Sequence, residues 1–490
     1  MSSISALIDV FKKFWPHIVT AVTFGIMIWT AGHVLLRKRD TKAATGWIGL
    51  ILFSPPLGVC LYWLFGINRI QRRARIRLAG KEIASLPELH GVISPAQVEE
   101  RLGEKHFTGL VMLCRLTEKV TRQPLMDGNQ IVPLVNGDEA FPAMLAAIRE
   151  ARSSISLVTY IFDNDAWGKK FRQELCGAVQ RGVAVRVLID DVGARYSFPS
   201  IVGGLRRDGV QVARFMRTLL PWRFQYNNLR NHRKILVVDG RLGFTGGMNI
   251  TAGNVLANKS ARTVQDVHFL IQGPVVAELQ NAFAEDWAFT TEEKLAGSDY
   301  FPRLDYCGNR IARGISDGPD EDFDRLRLIT LGALAAARSS IRIATPYFLP
   351  DNELVAGLRI AALRGVAVEI LVPSISNLRM IKWASTAGLT EIVASGCRVF
   401  FTEPPFDHSK IVVVDNGWVL LGSANWDPRS FNLNFEFNIE CYDTRLAATM
   451  NELLDSKLTG AQQVTRESLE NRFYLKRLRD NFFRLFSPYF

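Results

Sequence analysis

The feature that most restricts how this 490-residue chain can fold is that it spells one unit twice. Ala151-Arg-Ser-Ser-Ile155 recurs as Ala337-Arg-Ser-Ser-Ile341, each time closing a helical run (143–150 and 331–336) and opening an apolar stretch (156–162 and 342–348). Arg181-Gly-Val-Ala-Val185 then recurs as Arg364-Gly-Val-Ala-Val368, again just before an apolar strand. The offsets are 186 and 183, so the order survives with small insertions. Strand, helix and strand at this spacing require right-handed crossovers. The expectation is an α/β fold of two duplicated halves, each a mostly parallel sheet flanked by helices. The halves would meet about a pseudo-twofold axis, with a site drawn from both copies at the interface.

The chemistry-bearing residues fall at equivalent points of the repeat. The first copy reads Asn231-His-Arg-Lys-Ile-Leu-Val-Val-Asp-Gly240 and then Gly246-Gly-Met-Asn249; the second reads Asp407-His-Ser-Lys-Ile-Val-Val-Val-Asp-Asn-Gly417 and then Gly422-Ser-Ala-Asn425. In both, Lys follows His by two residues, Asp by seven and Asn by seventeen. A lone H-x-K means little, but four matched spacings at matched places in a repeat are specific. Residues i and i+2 of a strand share a face, so His232 with Lys234, and His408 with Lys410, point the same way. Asp239 and Asp415 have the opposite parity, beside turns at Asp239-Gly240 and Asn416-Gly417, and are expected to fix the turn and a buried ion pair. Asn249 and Asn425 return beside their own histidines on Gly-rich strands.

Two imidazoles, two ammonium groups and two amides suit a tetrahedral oxyanion, with phosphate the natural occupant. They are not a typical Zn²⁺ or Mg²⁺ ligand set, so no cofactor is expected. One His can attack phosphorus while the other protonates the leaving oxygen. An orienting carboxylate is expected behind each His: Glu436 in the second half and Asp266 in the first. His17, His33, His90, His106 and His268 lack such company and read as structural.

The N-terminus reads as membrane-embedded. Residues 16–36 and 45–67 carry no Asp, Glu, Lys or Arg up to the flanking bases, and each would cover the roughly 30 Å of bilayer hydrocarbon as a helix. Pro55-Pro56 predicts a kink in the second arm. The net charge of +11 is unevenly spread: residues 1–81 hold twelve bases against two acids, and residues 466–490 six against three. The body between is left at −2, which argues against a nucleic-acid partner and for a grip on anionic lipid. The outer flanks of the spans outnumber the connecting loop in Lys and Arg by seven to four, placing both termini and the body in the cytoplasm. Arg69–Arg77 is read as a juxtamembrane basic stretch, and Pro221–Tyr226 as an interfacial loop or a packed connector. In the tail, Phe473, Leu478, Phe482, Leu485 and Phe486 share a helical face beside Arg472, Lys476, Arg479 and Arg484, fit for a membrane or for the protein's own core. The six cysteines form no C-x-x-C pair and are expected to be free thiols. The resulting map is 1–78 membrane hairpin, 79–110 linker, 111–290 first half, 291–324 a Gly/Pro/Asp-rich connector, 325–465 second half and 466–490 basic amphipathic tail.

The doubled H-x-K-x-x-x-x-D with downstream G-[SG]-x-N resembles the phospholipase D superfamily. Gly46-Trp-Ile-Gly49, Leu64-Phe-Gly-Ile-Asn-Arg69, Arg230-Asn-His-Arg-Lys234 and Arg429-Ser-Phe-Asn-Leu-Asn-Phe-Glu436 extend the likeness to the bacterial cardiolipin synthases over nearly the whole chain. The first copy departs in having Gly247 where the second has Ser423. The resemblance implies two phospholipase D-like halves in a multi-pass protein of the bacterial inner membrane. It implies catalytic roles for His232, Lys234, Asp239, His408, Lys410 and Asp415, with Asn249 and Asn425 on phosphate. It further implies metal-free phosphatidyl transfer between two phosphatidylglycerols through a phosphatidyl-histidine, His232 attacking and His408 moving the proton. The residues themselves leave the nucleophile open. A hydrolytic phospholipase D, a transphosphatidylase with another acceptor, a membrane-bound nuclease and an inactive scaffold also stay open, the scaffold disfavoured because no His or Lys is missing.

Overall fold

The computed structural model describes residues 2–38, 41–66, 91–103, 107–217, 229–258, 263–318 and 324–487. The expected basic stretch at Arg69–Arg77, the loop Pro221–Tyr226, His90 and His106 lie outside these. The chain divides into an N-terminal unit and a body holding both copies of the repeat.

In the N-terminal unit a helix runs Ser2–Arg37, of which Lys13–Arg37 is long and apolar enough to cross a membrane. The second arm is broken. A helix Thr41–Phe53 stops at Ser54, restarts as Pro55–Leu61, where proline's missing N–H is harmless at a first turn, and ends in a π-helical turn Tyr62–Gly66. Its two apolar pieces, Ala43–Phe53 and Pro55–Leu64, are each shorter than a full span. Within this unit Trp63 Nε1 donates to Thr30 Oγ1 at 3.1 Å, the Tyr62 hydroxyl lies 2.8 Å from His33 Nδ1, and Trp29 stacks on Trp63.

In the body each half builds one sheet. The first contains β1 Leu125–Val135, β2 Ser154–Thr159, β3 Ala184–Asp190, β4 Gln211–Phe215, β5 Ile235–Val238, β6 Leu242–Gly246 and β7 Val267–Gln272, in the spatial order β1-β7-β6-β5-β2-β3-β4. The second contains β8 Arg310–Asp317, β9 Ser340–Ala344, β10 Ala367–Pro373, β11 Arg398–Thr402, β12 Ile411–Val414, β13 Trp418–Gly422 and β14 Asn434–Tyr442, in the matching order β8-β14-β13-β12-β9-β10-β11. Only β2-β3-β4 and β9-β10-β11 are parallel; every other pairing in these two orders is antiparallel. The sheets are therefore mixed, correcting the expectation of mostly parallel ones. The repeated Arg-Ser-Ser and Arg-Gly-Val-Ala-Val signatures mark only the crossover strands, whereas each H-x-K segment opens a hairpin that adds strands by direct reversal.

Two placements cut across the expected boundaries. Arg310–Asp317, assigned to a turn-rich connector, is a largely buried strand of the second sheet, and β1 bridges the halves by pairing with β7 over residues 130–135 and with β8 at Asn129 and Met126. The helix Thr108–Thr121 packs Leu110, Leu113 and Cys114 into the second half's core with Ile329, Ala333 and Leu334, although its sequence position suggested the first half. Burying apolar surface overrides chain order here.

The hairpin turns explain the motif aspartates. Asp239 and Gly240 take φ of 53° and 62°, and the Arg241 N–H closes the turn on the Val238 carbonyl at 3.0 Å. In the second half Asp415 and Asn416 take 51° and 55°, with the Gly417 N–H on the Val414 carbonyl. These are type I′ turns, whose twist matches the flanking strands. The second sits one residue earlier than Asn416-Gly417 suggested. The Asp239 carboxylate accepts the backbone N–H groups of Arg152, Ser153 and Ser154 at 2.7–3.1 Å; Asp415 accepts those of Arg338, Ser339 and Ser340 at 2.7–2.9 Å. The expected ion pair is thus replaced by three amides from the repeated Arg-Ser-Ser. Burial alone would raise the Asp239 carboxyl, but these donors outweigh it and hold its pKa below the usual carboxylate value. Asp239→Ala strands three amides and puts Ala at positive φ, so a loss of about 3 kcal/mol is expected in denaturant unfolding, with Asp239→Asn losing less.

Candidate active site

The two halves exchange strands where the histidines stand. Residues Arg230–Asn231 pair in parallel with Asn434 and Phe435 of β14, and Phe406–Asp407 with Val264–Gln265. The exchange continues one residue on: the His232 N–H donates to the Phe435 carbonyl at 2.9 Å, and the His408 N–H to the Gln265 carbonyl at 2.7 Å. Each histidine is thereby aligned with a carboxylate of the opposite copy.

His232 Nδ1 lies 3.1 Å from both carboxylate oxygens of Glu436, and His408 Nδ1 lies 2.8 Å from Asp266 Oδ2. The sequence placed one carboxylate in each half; the structure crosses them. With Nδ1–H donated to a carboxylate, Nε2 is the nitrogen left for chemistry. Lys234 Nζ donates to the His232 carbonyl at 2.5 Å, while Lys410 Nζ contacts the His408 carbonyl and sits 2.9 Å from His408 Nδ1. All six side chains of this cluster are buried or nearly so.

Burial governs their protonation. It pushes Lys234 down to about 7 and Lys410 to about 8, against the pull of Glu436 and Asp266, with the Lys410 ammonium adding to the fall of Lys234. It also lowers both imidazoles, His408 to about 4 with the Lys410 ammonium adding to the effect, so both are neutral at physiological pH. Glu436 is held low despite burial, by His232 and Lys234 and by hydrogen bonds from His232 and Ser423. An anion entering this pocket would raise both lysines by its own charge and so favour their ammonium forms.

The two carboxylates are supported differently. Glu436 accepts from Ser423 Oγ at 2.5 Å, Ser430 Oγ at 2.9 Å and Asn434 Nδ2 at 3.1 Å. Asp266 accepts the Val267 N–H at 2.8 Å. The shorter side chain draws its carboxylate back against the backbone at Gly247, where an added Cβ would run into it. Gly247 and Ser423 therefore differ because Asp266 and Glu436 differ.

The remaining expected residues are more dispersed. Asn249 Oδ1 accepts the Ile161 N–H at 3.1 Å, next to Tyr160, whose ring meets His232 edge-on with centroids 5.6 Å apart. Asn425 lines a small cavity with Lys410, and its buried Oδ1 has no hydrogen-bond partner among the described residues. Asp239 and Asp415 are engaged with the turns described above and make no hydrogen bond to either His among the described residues. His268 is buried and held neutral, its pKa lowered to about 4 by burial. Reading the sequence missed Tyr160, which directly follows β2, and Tyr347, three residues beyond β9 and 6.3 Å from His408. It also missed Asp190, buried at the end of β3, which accepts the Asn231 N–H at 3.0 Å and is raised to about 6 by burial.

Duplicated α/β halves, exchanging strands around a pair of H-x-K segments, are the fold of a phospholipase D-like protein. A family model described as "Cardiolipin synthase, PLD-like domain" matches residues 144–287 and 331–458, and one described as "Phospholipase_D-nuclease N-terminal" matches 25–66. The chain belongs to the cardiolipin synthase family of phospholipase D-like proteins. It is 35% identical to Cardiolipin synthase A of Pseudomonas putida over 93% of this chain and 94% of that one. It is 31% identical to Cardiolipin synthase of Geobacillus kaustophilus over 99% of this chain and 97% of that one. Phosphatidylserine synthase of Haemophilus influenzae shares the fold, with a TM-score of 0.60 at 16% identity over 77% of this chain and all of that one.

Proposed function

We propose that this phosphatidyltransferase joins two phosphatidylglycerols into cardiolipin, releasing glycerol, in a reversible two-step exchange. The observation that carries this is the crossed pair of histidine–carboxylate couples with Lys234 and Lys410 between the halves, in a chain whose relatives are named cardiolipin synthases. His232 Nε2 attacks the phosphorus of the first lipid, the phosphorus–oxygen bond to glycerol breaks, and His408 delivers the proton to that oxygen. His408 then takes the proton from a hydroxyl of the second phosphatidylglycerol, whose oxygen displaces His232. The negative phosphodiester raises His408 so that it enters the first step as imidazolium, and the proton taken from the second phosphatidylglycerol's hydroxyl restores that form. Lys234, Lys410, Asn249 and Asn425 bind the non-bridging oxygens. His232 is the better nucleophile because Glu436 has three further donors fixing it.

The N-terminal unit anchors the enzyme in the bacterial inner membrane as a hairpin of Lys13–Arg37 and the kinked second arm. Its basic flanks keep the body cytoplasmic. In the chain map we propose, the strand Arg310–Asp317 and the helix Thr108–Thr121 go with the second half. Purified protein given phosphatidylglycerol alone is expected to yield cardiolipin and glycerol in equal amounts by mass spectrometry. Phosphatidic acid as the sole lipid product would instead make it a hydrolase.

The lysines set a pH limit. Each ammonium is present below its pKa and lost as pH rises through it, so kcat/KM is expected to fall between about pH 7 and 8.5. Lys234→Arg, which cannot deprotonate there, should shift the limb toward the Lys410 value at a lower plateau. A pH profile of the two proteins checks this.

A further inference from the structure

The C-terminal helix Tyr474–Arg484 has two faces with different fates. One grips the body. Phe483 packs on Trp383 with ring centroids 5.0 Å apart and the Arg479 guanidinium lies 4.2 Å from the Trp383 ring centroid, while buried Asp480 pairs within the tail with Arg472 at 2.6 Å and Arg479 at 2.8 Å. Two of the bases expected to face lipid headgroups are thus spent otherwise, Arg472 on Asp480 and Arg479 on Asp480 and Trp383. The other face is apolar and bare: Leu475, Leu478, Phe482 and Leu485 are 59%, 54%, 55% and 74% exposed. They recur at three- and four-residue steps, one stripe lying roughly opposite the docked Asp480 and Phe483. Lys476 and Arg477 stand exposed on the same helix. The helix beneath begins in the same manner, with Leu378 and Met380 about half exposed.

A stripe of this length left to water is unfavourable, by about 25 cal/mol per Å² of apolar surface. We propose that it is a docking surface for an anionic bilayer, the apolar stripe entering the headgroup region and the bases meeting lipid phosphate. A bilayer is the occupant that charge favours, since Lys476 and Arg477 complement a negative surface, and the chain carries a helix, Lys13–Arg37, long and apolar enough to cross a membrane. The surface also reaches the site. Phe483 packs against the cluster of Tyr347, Ile381 and Phe406, and the rings of Tyr347 and Phe406 both lie within 6.3 Å of His408. This rests on the lipid-handling reading above only for the choice of phosphatidylglycerol.

The test uses the full chain in lipid nanodiscs, with exposed Cys60 and Cys307 replaced by Ser and Phe482→Cys carrying an environment-sensitive dye. In discs containing phosphatidylglycerol the emission is expected to shift blue and to be quenched by spin-labelled lipid. Lys476→Glu/Arg477→Glu should weaken the quenching several-fold. Water-like emission in those discs would overturn the proposal, as would a shift that depends on protein concentration, which would assign the face to a second copy. Quenching equally strong in discs of neutral lipid would overturn the anionic preference. None of these readings requires turnover, so a failed synthase assay leaves them standing. Leu478→Glu/Leu485→Glu should raise KM for micellar phosphatidylglycerol about ten-fold with kcat unchanged.

Discussion

Replacing His232 with Ala is expected to reduce cardiolipin formation by about 10⁴-fold or more, and His408→Ala to do the same, because nucleophile and proton carrier act as a unit. A substrate with nitrophenol in place of glycerol separates them. Nitrophenolate leaves without a proton, so His408→Ala should still release one equivalent in a burst and stall with the phosphatidyl group on His232. His232→Ala should release none. A burst from His232→Ala instead would exchange the two roles. Mass mapping of the stalled adduct identifies the modified residue in the same experiment.

The second large effect comes from the crossing. Glu436→Gln removes the charge that holds His232 Nδ1–H and can present an amide N–H to Nδ1 instead, turning the ring to the tautomer whose Nε2 carries hydrogen and cannot attack. Ser423, Ser430 and Asn434 would then compete for one amide oxygen. A fall of about 10³-fold in kcat, or roughly 4 kcal/mol, is expected with KM little changed. Since Glu436 serves the histidine of the other copy, Glu436→Gln should lose the nitrophenolate burst while Asp266→Asn, acting on His408, keeps it. If each carboxylate served its own half, the two results would be interchanged.

What the sequence made legible follows from what is local. The repeat and the matched His, Lys, Asp and Asn spacings are short-range, and period-two strand geometry puts His and Lys on one face. The partnering of Glu436 with His232 is set by an interface between segments 204 residues apart, and nothing near either residue encodes it. Asp239 was legible as a turn residue, yet its real partners, the Arg152–Ser154 amides, stood in the sequence as the very repeat that disclosed the duplication. The strand Arg310–Asp317 was hidden by the Gly- and Pro-rich segments around it. The antiparallel strands were missed because crossover signatures say nothing about hairpins added beside them.

The crossed couples also bear on when the chain becomes active during its synthesis. His232 leaves the ribosome long before Glu436 is made, and Asp266 long before His408, so the first half can fold while holding an unoriented imidazole and an unoccupied carboxylate. The His408–Asp266 couple can close once residues 406–408 have been translated, but the His232–Glu436 couple closes only once β14 has followed and has zipped beside residues 230–231. A chain cut short anywhere upstream of β14 would lack the carboxylate that orients His232 and could meet its substrate without acting on it.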